Sequence, residues 1–396
     1  MSGFVRSGGS FGRVWGKSSP GVAAPSLPKY GDRLESYDFR NRPWLQRDRS
    51  GLFPLMAEEK TEEGYLRISP LQLKALKNPG SNRVSVTAAS APFCEVRTLY
   101  ELAEVAVEEE KPTNAMERGA QVHNMAEYSL YEATEVSLPV PPATTPTEEW
   151  YQKLMNMYLK LSMLRTDSAP AVNELEMSPT FMAREIPVFG NYKNTRLFGI
   201  MDLIYWRNKK LNICDMKTTY RRSVPEEPQM TSHIHQTMLY HYLFSDMCRD
   251  IDATMGEYLR DDICIDTDVR SEFSAAYEGQ SGPADTIPTS ISGLIKLIGD
   301  ELPKPRSLAK TVSVEYVKRS EDRVPEEYQD LYPLSDYTQR QSFAVVQAPV
   351  DYKELKRVMS ETLPFWHGQR AAIGVDADSM NKCRYCQFRP VCGWYN

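Results

Sequence analysis

Two aspartates and a lysine sit in one stretch of patterned chain, Leu197 to Thr219, which reads LFGIMDLIYW-RNKK-LNICDMKTT. Two apolar runs flank a polar RNKK, the signature of a hairpin. With the turn centred on Asn208-Lys209, Trp206 faces Leu211 and Asp202 faces Asp215. Directly opposed residues have Cβ atoms roughly 4.5–5.5 Å apart. A charge inside an apolar strand is costly to desolvate, and two like charges set opposite each other repel. A divalent cation would neutralise both carboxylates. Oxygen-only ligands suit Mg²⁺, with Mn²⁺ as the alternative. Lys217 lies two residues beyond Asp215 and projects from the same strand face. An ammonium there can orient a metal-bound water, help deprotonate it, or stabilise charge on a phosphorane-like transition state.

Flanking helices carry further candidates. Gly119 and His123 share a helical face, so His123 can supply an imidazole to the same metal where Gly119 permits close approach to the sheet. After the hairpin, Gln236 and Tyr240 are four residues apart. A carboxamide and a phenol on one face can hold a phosphate or a base edge. Residues 217–222, KTTYRR, leave the second strand as a basic, aromatic-bearing stretch, a candidate backbone track. Residues 304–310, KPRSLAK, form a second basic patch. Near the end of the chain, Cys383, Cys386 and Cys392 form C-x2-C-x5-C, while Cys94 stands alone far upstream. Thiolates in such a set suit an iron–sulfur cluster or structural zinc, and spacing does not choose between them.

Positioning these groups requires a sheet with helices around it. The pattern predicts strands over Glu185–Phe189, Leu197–Trp206, Leu211–Thr219, Val312–Val317 and Phe343–Gln347. It predicts helices within Leu66–Leu76, over Ala91–Val107 with Cys94 inside, around His123, and over Glu148–Leu164, His233–Cys248 and Asp351–Arg370. Val84–Thr87 reads as extended or as a helix lead-in. Residues 266–305 are rich in Ser, Gly, Pro and Asp and read as a polar, partly disordered insertion with one helix near Ile291–Ile298. Cys214 falls in a strand and reads as core.

The chain has 396 residues, 41% hydrophobic and 25% charged, which is ordinary globular composition and excludes collagen and wholesale disorder. No run of eighteen apolar residues predicts a membrane span. A net charge of −6 gives no global basic field, which is weak evidence against nucleic acid because a local groove can be basic. Seven cysteines without a secretory segment suggest a reducing compartment. In residues 1–31 the only charged side chains are Arg6, Arg13, Lys17 and Lys29. Such an acid-free start reads as an organellar transit segment, against an ordinary tail. No G-x4-G-K-[ST] pattern occurs, so the chain has no helicase of its own.

Together, R-G-x3-H, G-I-M-D, C-D-M-K and Q-x3-Y resemble the RecB-type branch of the PD-(D/E)XK nucleases. Met201-Asp202 stands where the superfamily name has proline-aspartate, and Asp215 where many members have Glu. One cysteine before that core and three after it resemble the iron–sulfur nucleases of this branch. Residues 366–370, WHGQR, with Gly374-Val375 and the cysteines look most like exonuclease V. The resemblance covers about residues 84–248 and 312–396.

It implies an α/β fold with a PD-(D/E)XK core, a mixed sheet flanked by helices, within one nuclease domain over 66–396. It also implies a [4Fe–4S] cluster on Cys94, Cys383, Cys386 and Cys392, and Mg²⁺ on Asp202, Asp215 and His123. Lys217 would position the water, and Gln236 and Tyr240 would secure the DNA. The implied activity is a single-strand-specific DNA exonuclease releasing short oligonucleotides, in DNA repair and mitochondrial genome maintenance. The implied setting is a monomer acting on single-stranded DNA, with a single-strand-binding protein as a further partner and the nucleus as the alternative location. The rival reading is a catalytically inactive DNA-binding scaffold stabilised by Fe–S or zinc.

Overall fold

A computed structural model describes residues 69–77, 82–90, 94–105, 141–162, 164, 182–219, 223–259, 262–277, 287–318, 342–375 and 377–394. The transit-like segment, the helix expected around His123, and Tyr220–Arg222 of the basic stretch lie outside the described residues. In chain order the elements are α1 (Pro70–Lys77), β1 (Val84–Ser85), α2 (Val86–Ser90), α3 (Glu95–Leu102), α4 (Pro146–Ser162), β2 (Met182–Tyr192), β3 (Thr195–Arg207) and β4 (Lys210–Thr219). Then come α5 (Glu227–Arg249), α6 (Ile251–Leu259), α7 (Ser271–Ala275), α8 (Ile291–Glu301), β5 (Leu308–Lys318), β6 (Ser342–Pro349) and α9 (Tyr352–Trp366).

The chain divides into two compact units. The first holds the described residues within Arg83–Ala91 and Pro112–Met359; the second holds those within Pro92–Lys111 and Ser360–Asn396, with 69–77 and 82. The division falls within α9. The cysteine-bearing segments that precede and follow the sheet in the sequence belong to the second unit.

The first unit is a mixed α/β fold around a six-stranded sheet. Both hairpins of β2-β3-β4 close through two-residue turns with left-handed central residues: Lys193 and Asn194 at φ +45° and +63°, and Asn208 and Lys209 at +51° and +59°. Such turns match the twist of the flanking strands. β2 pairs antiparallel along one edge of β3. The other edge is shared: β4 pairs from Arg207 to Leu203, and β1 pairs in parallel at Leu197 and Phe198. β4 then runs parallel to β5, and β5 antiparallel to β6.

Helix α5 packs on β2, β4 and β5, while α4 and α6 pack on β2. The apolar strands explain this burial. Trp150 of α4 meets Phe189, Phe198 and Tyr258 edge-on, with ring centroids 6.1, 6.2 and 5.8 Å away. Each such aromatic pair adds about 0.5–1.5 kcal/mol beyond its buried area.

The described parts of 266–305 are folded more fully than their polar composition implied. In α8, Ile291, Leu294, Ile295 and Ile298 are buried against α4 and α6. Ser290 caps this helix by accepting the Gly293 N–H at 3.3 Å. The shorter α7 buries Phe273, which with Tyr277 meets Tyr151 of α4 at 6.0 and 6.1 Å. Four isoleucine and leucine positions at helical spacing outweigh the surrounding serines and glycines. Among the described residues, no helix is long and apolar enough to cross a membrane.

Candidate active site and cysteine cavity

The β3-β4 register follows the turn. Arg207 pairs Lys210, Trp206 pairs Leu211, and the ladder continues to Leu203↔Cys214. Asp202 and Asp215 are next in line, and there the ladder opens. Instead of continuing the pairing, the Asp202 carboxylate Oδ2 accepts the Met216 backbone N–H at 2.6 Å. Past this fork, β1 takes over the edge of β3. Both carboxylates therefore stand where the β3-β4 ladder ends.

Lys217 is drawn into the fork. Its Nζ lies 2.8 Å from Asp215 Oδ2 and donates to Gln236 Oε1 at 3.0 Å. Gln236 Nε2 in turn donates to the Tyr240 hydroxyl at 3.0 Å. Asp215 is 1% exposed, Gln236 4% and Tyr240 5%, while the Lys217 side chain between them keeps 24% of its surface open to solvent. Gln236 and Tyr240 come to the same centre as Lys217, as the sequence reading placed them. The structure spends their polar groups on Lys217 and on each other.

Burial pushes the Asp202 carboxyl up, against the pull of the Lys217 ammonium, the Met216 N–H and Arg184. Burial works against the Lys217 charge, yet Asp215 and Asp202 outweigh it and hold its pKa above that of an ordinary lysine. Burial, then the two carboxylates, pushes the Tyr240 phenol well up, and Tyr316 is pushed up to about 12 by burial and Asp215. The centre thus holds two carboxylates, one ammonium and neutral phenols.

Gly199 lets this happen. A Cβ there would lie 2.6 Å from Tyr240 Cε1 and 2.8 Å from Val86 Cγ2. Only a glycine admits that approach of α5 and α2 to β3. The opposite edge of β3 holds a group the sequence reading missed. Lys160 of α4 is 3% exposed and donates from Nζ to the Glu185 carbonyl at 3.1 Å. A lysine between Leu159 and Leu161 on an amphipathic helix was the available signal. His123 lies outside the described residues, so the site is two carboxylates, an ammonium and their supports.

In the second unit, Cys94, Cys383, Cys386 and Cys392 line one cavity, beside Tyr100 and Phe388. Cys94 was expected inside a helix; it is the N-cap of α3 instead, with φ −169° and ψ 123°. The three late cysteines are aligned by 3-10 turns. Cys386 N donates to Cys383 O, Arg389 N to Cys386 O, and Cys392 N to Arg389 O, at 3.3, 3.0 and 3.4 Å. Two short 3-10 segments, Ala377–Tyr385 and Arg389–Val391, alternate with turns and bring the three cysteines to the cavity. Burial pushes the thiols of Cys94, Cys383 and Cys386 up, and each feels the charge of Cys392.

A buried ion pair anchors the start of α3. Arg370 grips Glu95 through two contacts of 2.5 Å, and Glu95 also accepts the Ile373 N–H at 2.8 Å. The Glu95 N–H donates back to Ile373 O at 3.2 Å. Trp394 walls the cavity and donates to Val375 O at 3.0 Å, and a Cβ on Gly374 would overlap its indole. Among the described residues, no three His, Cys, Asp or Glu side chains form a ready-made cage for a metal ion.

The sequence profile of a family described as "Exonuclease V - a 5' deoxyribonuclease" matches residues 69–212, 207–289 and 281–395. A curated relative, "Exonuclease V" of Danio rerio, is 22% identical over 306 residues, covering 76% of this chain and 67% of that protein. A solved chain titled "Crystal structure of SSO0001" is 13% identical at a TM-score of 0.32, covering 82% of this chain and 94% of that one.

Proposed function

The chain belongs to the exonuclease V family, and from that premise we propose that it is a Mg²⁺-dependent, single-strand-specific exodeoxyribonuclease with a PD-(D/E)XK centre at Asp202, Asp215 and Lys217. The description of the family model supports a DNA exonuclease of 5′ direction. The observation that carries the site is the chain of contacts Asp215–Lys217–Gln236–Tyr240 at the fork where β3 and β4 part.

Asp202 and Asp215 would hold Mg²⁺, or Mn²⁺, with His123 as the further ligand. Their fit to a divalent cation rests on two carboxylates buried next to each other, which a cation neutralises. When bound, the ion supplies positive charge to the phosphate and lowers the pKa of a water. Lys217, as an ammonium, donates hydrogen bonds to the attacking water or to the phosphate oxygens. Gln236 holds that ammonium in place, and Tyr240 holds Gln236. Asp202 is itself oriented by the Met216 N–H. Preorganisation of this kind aims charge before the reaction begins.

Cys94, Cys383, Cys386 and Cys392 would hold a [4Fe–4S] cluster. Their fit rests on four thiols around one cavity with aromatic walls. When bound, the cluster supplies a crosslink between segments far apart in the chain. Short oligonucleotide products, the transit reading of residues 1–31 and mitochondrial action belong to the same proposal.

The test is cleavage of end-labelled single-stranded and duplex DNA, with Mg²⁺ and with EDTA, by anaerobically purified protein whose iron content is measured first. Mg²⁺-dependent loss of the single strand alone is expected. A folded, metal-replete protein that cuts neither substrate would overturn the reading.

A further inference from the structure

The strand pair that carries Asp202 is interrupted at one place. β2 and β3 keep one register from Tyr192↔Thr195 to Met182↔Tyr205, yet Glu185 and Asp202 form no pair between Arg184↔Leu203 and Ile186↔Met201. Glu185 has φ +53°, a left-handed conformation that an L side chain rarely adopts. Such breaks re-aim side chains next to active sites. This one faces Asp202, whose carboxylate has turned toward β4 to accept the Met216 N–H at 2.6 Å.

Lys160 holds the break. Its Nζ donates to the Glu185 carbonyl at 3.1 Å, and the residue is 3% exposed on α4. Burying an ammonium is expensive, and an apolar side chain would fill the same space at less cost. What the position supplies is a long-armed hydrogen-bond donor that reaches the Glu185 carbonyl at the strand break. Lys160 and Glu185 are 25 residues apart, so the contact is a choice of the tertiary packing and not of a local turn.

We infer that Lys160 is a positioning residue of the nuclease centre. By pinning the Glu185 carbonyl it keeps the strand break in place and so keeps the Asp202 carboxylate aimed into the fork beside Asp215. The inference rests on the nuclease reading above.

The experiment uses the full chain with its metal content as isolated, and compares wild type, Lys160→Met and Lys160→Arg. The readouts are kcat, KM for an end-labelled single strand, half-saturating Mg²⁺ and the unfolding midpoint. Lys160→Met should lose at least about tenfold in kcat with KM within about twofold, and should need several times more Mg²⁺. Lys160→Arg, which keeps a charged donor, should recover most of the loss. A purely structural role would lower the unfolding midpoint and leave kcat and Mg²⁺ dependence of the folded protein unchanged, and that result would overturn the inference.

Glu185→Gly provides an independent check, because glycine is at ease at φ +53°. In that background the fold-loss caused by Lys160→Met should shrink; equal losses in both backgrounds contradict the mechanism. Should Lys160→Met not fold, the same cycle is run with Lys160→Gln. Wild-type protein without Mg²⁺-dependent cleavage would overturn the nuclease reading itself. Normal cleavage by a folded Lys160→Met would overturn this inference alone.

Discussion

The Lys217 ammonium is the hinge of the candidate centre, because every other polar group there is arranged around it. Asp215 compensates its charge at 2.8 Å, and Gln236 fixes its direction at 3.0 Å. Removing Asp215 therefore removes both a proposed cation ligand and the carboxylate partner of the Lys217 ammonium. Asp215→Ala is expected to lower kcat by on the order of a thousandfold or more, since an oriented charge is typically worth about that much. Circular dichroism and iron content should stay as in wild type, and residual full-rate digestion would remove Asp215 from the site. The residue types and spacing were legible because Asp, Asp and Lys stand out inside apolar strands. The inward role of Gln236 and Tyr240 was not, because sequence shows a shared helix face but not what lies opposite it.

Among the elements, α5 meets β3 at a single permissive residue. Gly199→Ala would push a methyl group against Tyr240 and Val86. Overpacking of this kind costs about 1–3 kcal/mol. The unfolding midpoint of Gly199→Ala should fall accordingly. Its kcat should fall as well, because a displaced Tyr240 loosens Gln236. A variant with wild-type midpoint and turnover would show that the helix can move away freely.

A second tie holds α4 to the 262–277 segment. Glu148 is 2% exposed and is gripped by Arg270, with the Thr144 N–H at 2.7 Å. The hydrogen bonds from Arg270, against burial and with those from Thr144, hold its carboxyl at about 2, below the usual 4.5. A carboxyl lowered in the fold contributes stability that is complete above its unfolded pKa and lost as pH falls through the folded one. Wild-type stability should thus decline across the window from 4.5 to 2. Glu148→Gln should be less stable at neutral pH and flatter across that window in urea unfolding. An unchanged slope would remove Glu148 from the acid response.

Across the whole molecule, the cysteine unit is assembled from both sides of the sheet-bearing chain. A crosslink from residue 94 to residue 383 would close a loop containing almost all of the first unit, and closing long loops removes much unfolded-state freedom. If the four thiolates share one metal group, Cys392→Ser should lose most of its iron and unfold the second unit at lower temperature. Iron analysis and limited proteolysis would check this, and an iron-replete, protease-resistant variant would refute the ligand set. The Glu95–Arg370 pair is a second support. It ties the start of α3 to residues 370–373 independently of the cysteines.

The hairpin of β3 and β4, its turn and its register could be read from the residues alone. A strand has period two, and RNKK between apolar runs leaves one pairing that keeps the apolar faces together. That reading brought Asp202, Asp215 and Lys217 together before any fold was known. The C-x2-C-x5-C spacing likewise marked Cys383, Cys386 and Cys392 as one set of thiols. Other features exist only in three dimensions: the fork that opens at the two aspartates, the partners of Gln236, the pinning of Glu185 by Lys160, and the arrival of Cys94 at the late cysteines. Each joins side chains and backbone brought together by packing, and local periodicity carries no record of which distant surface will face which. The described parts of residues 266–305 make the same point from the other side. Their average composition is polar, but a few apolar side chains at helical spacing decide the burial once α4 is there to receive them.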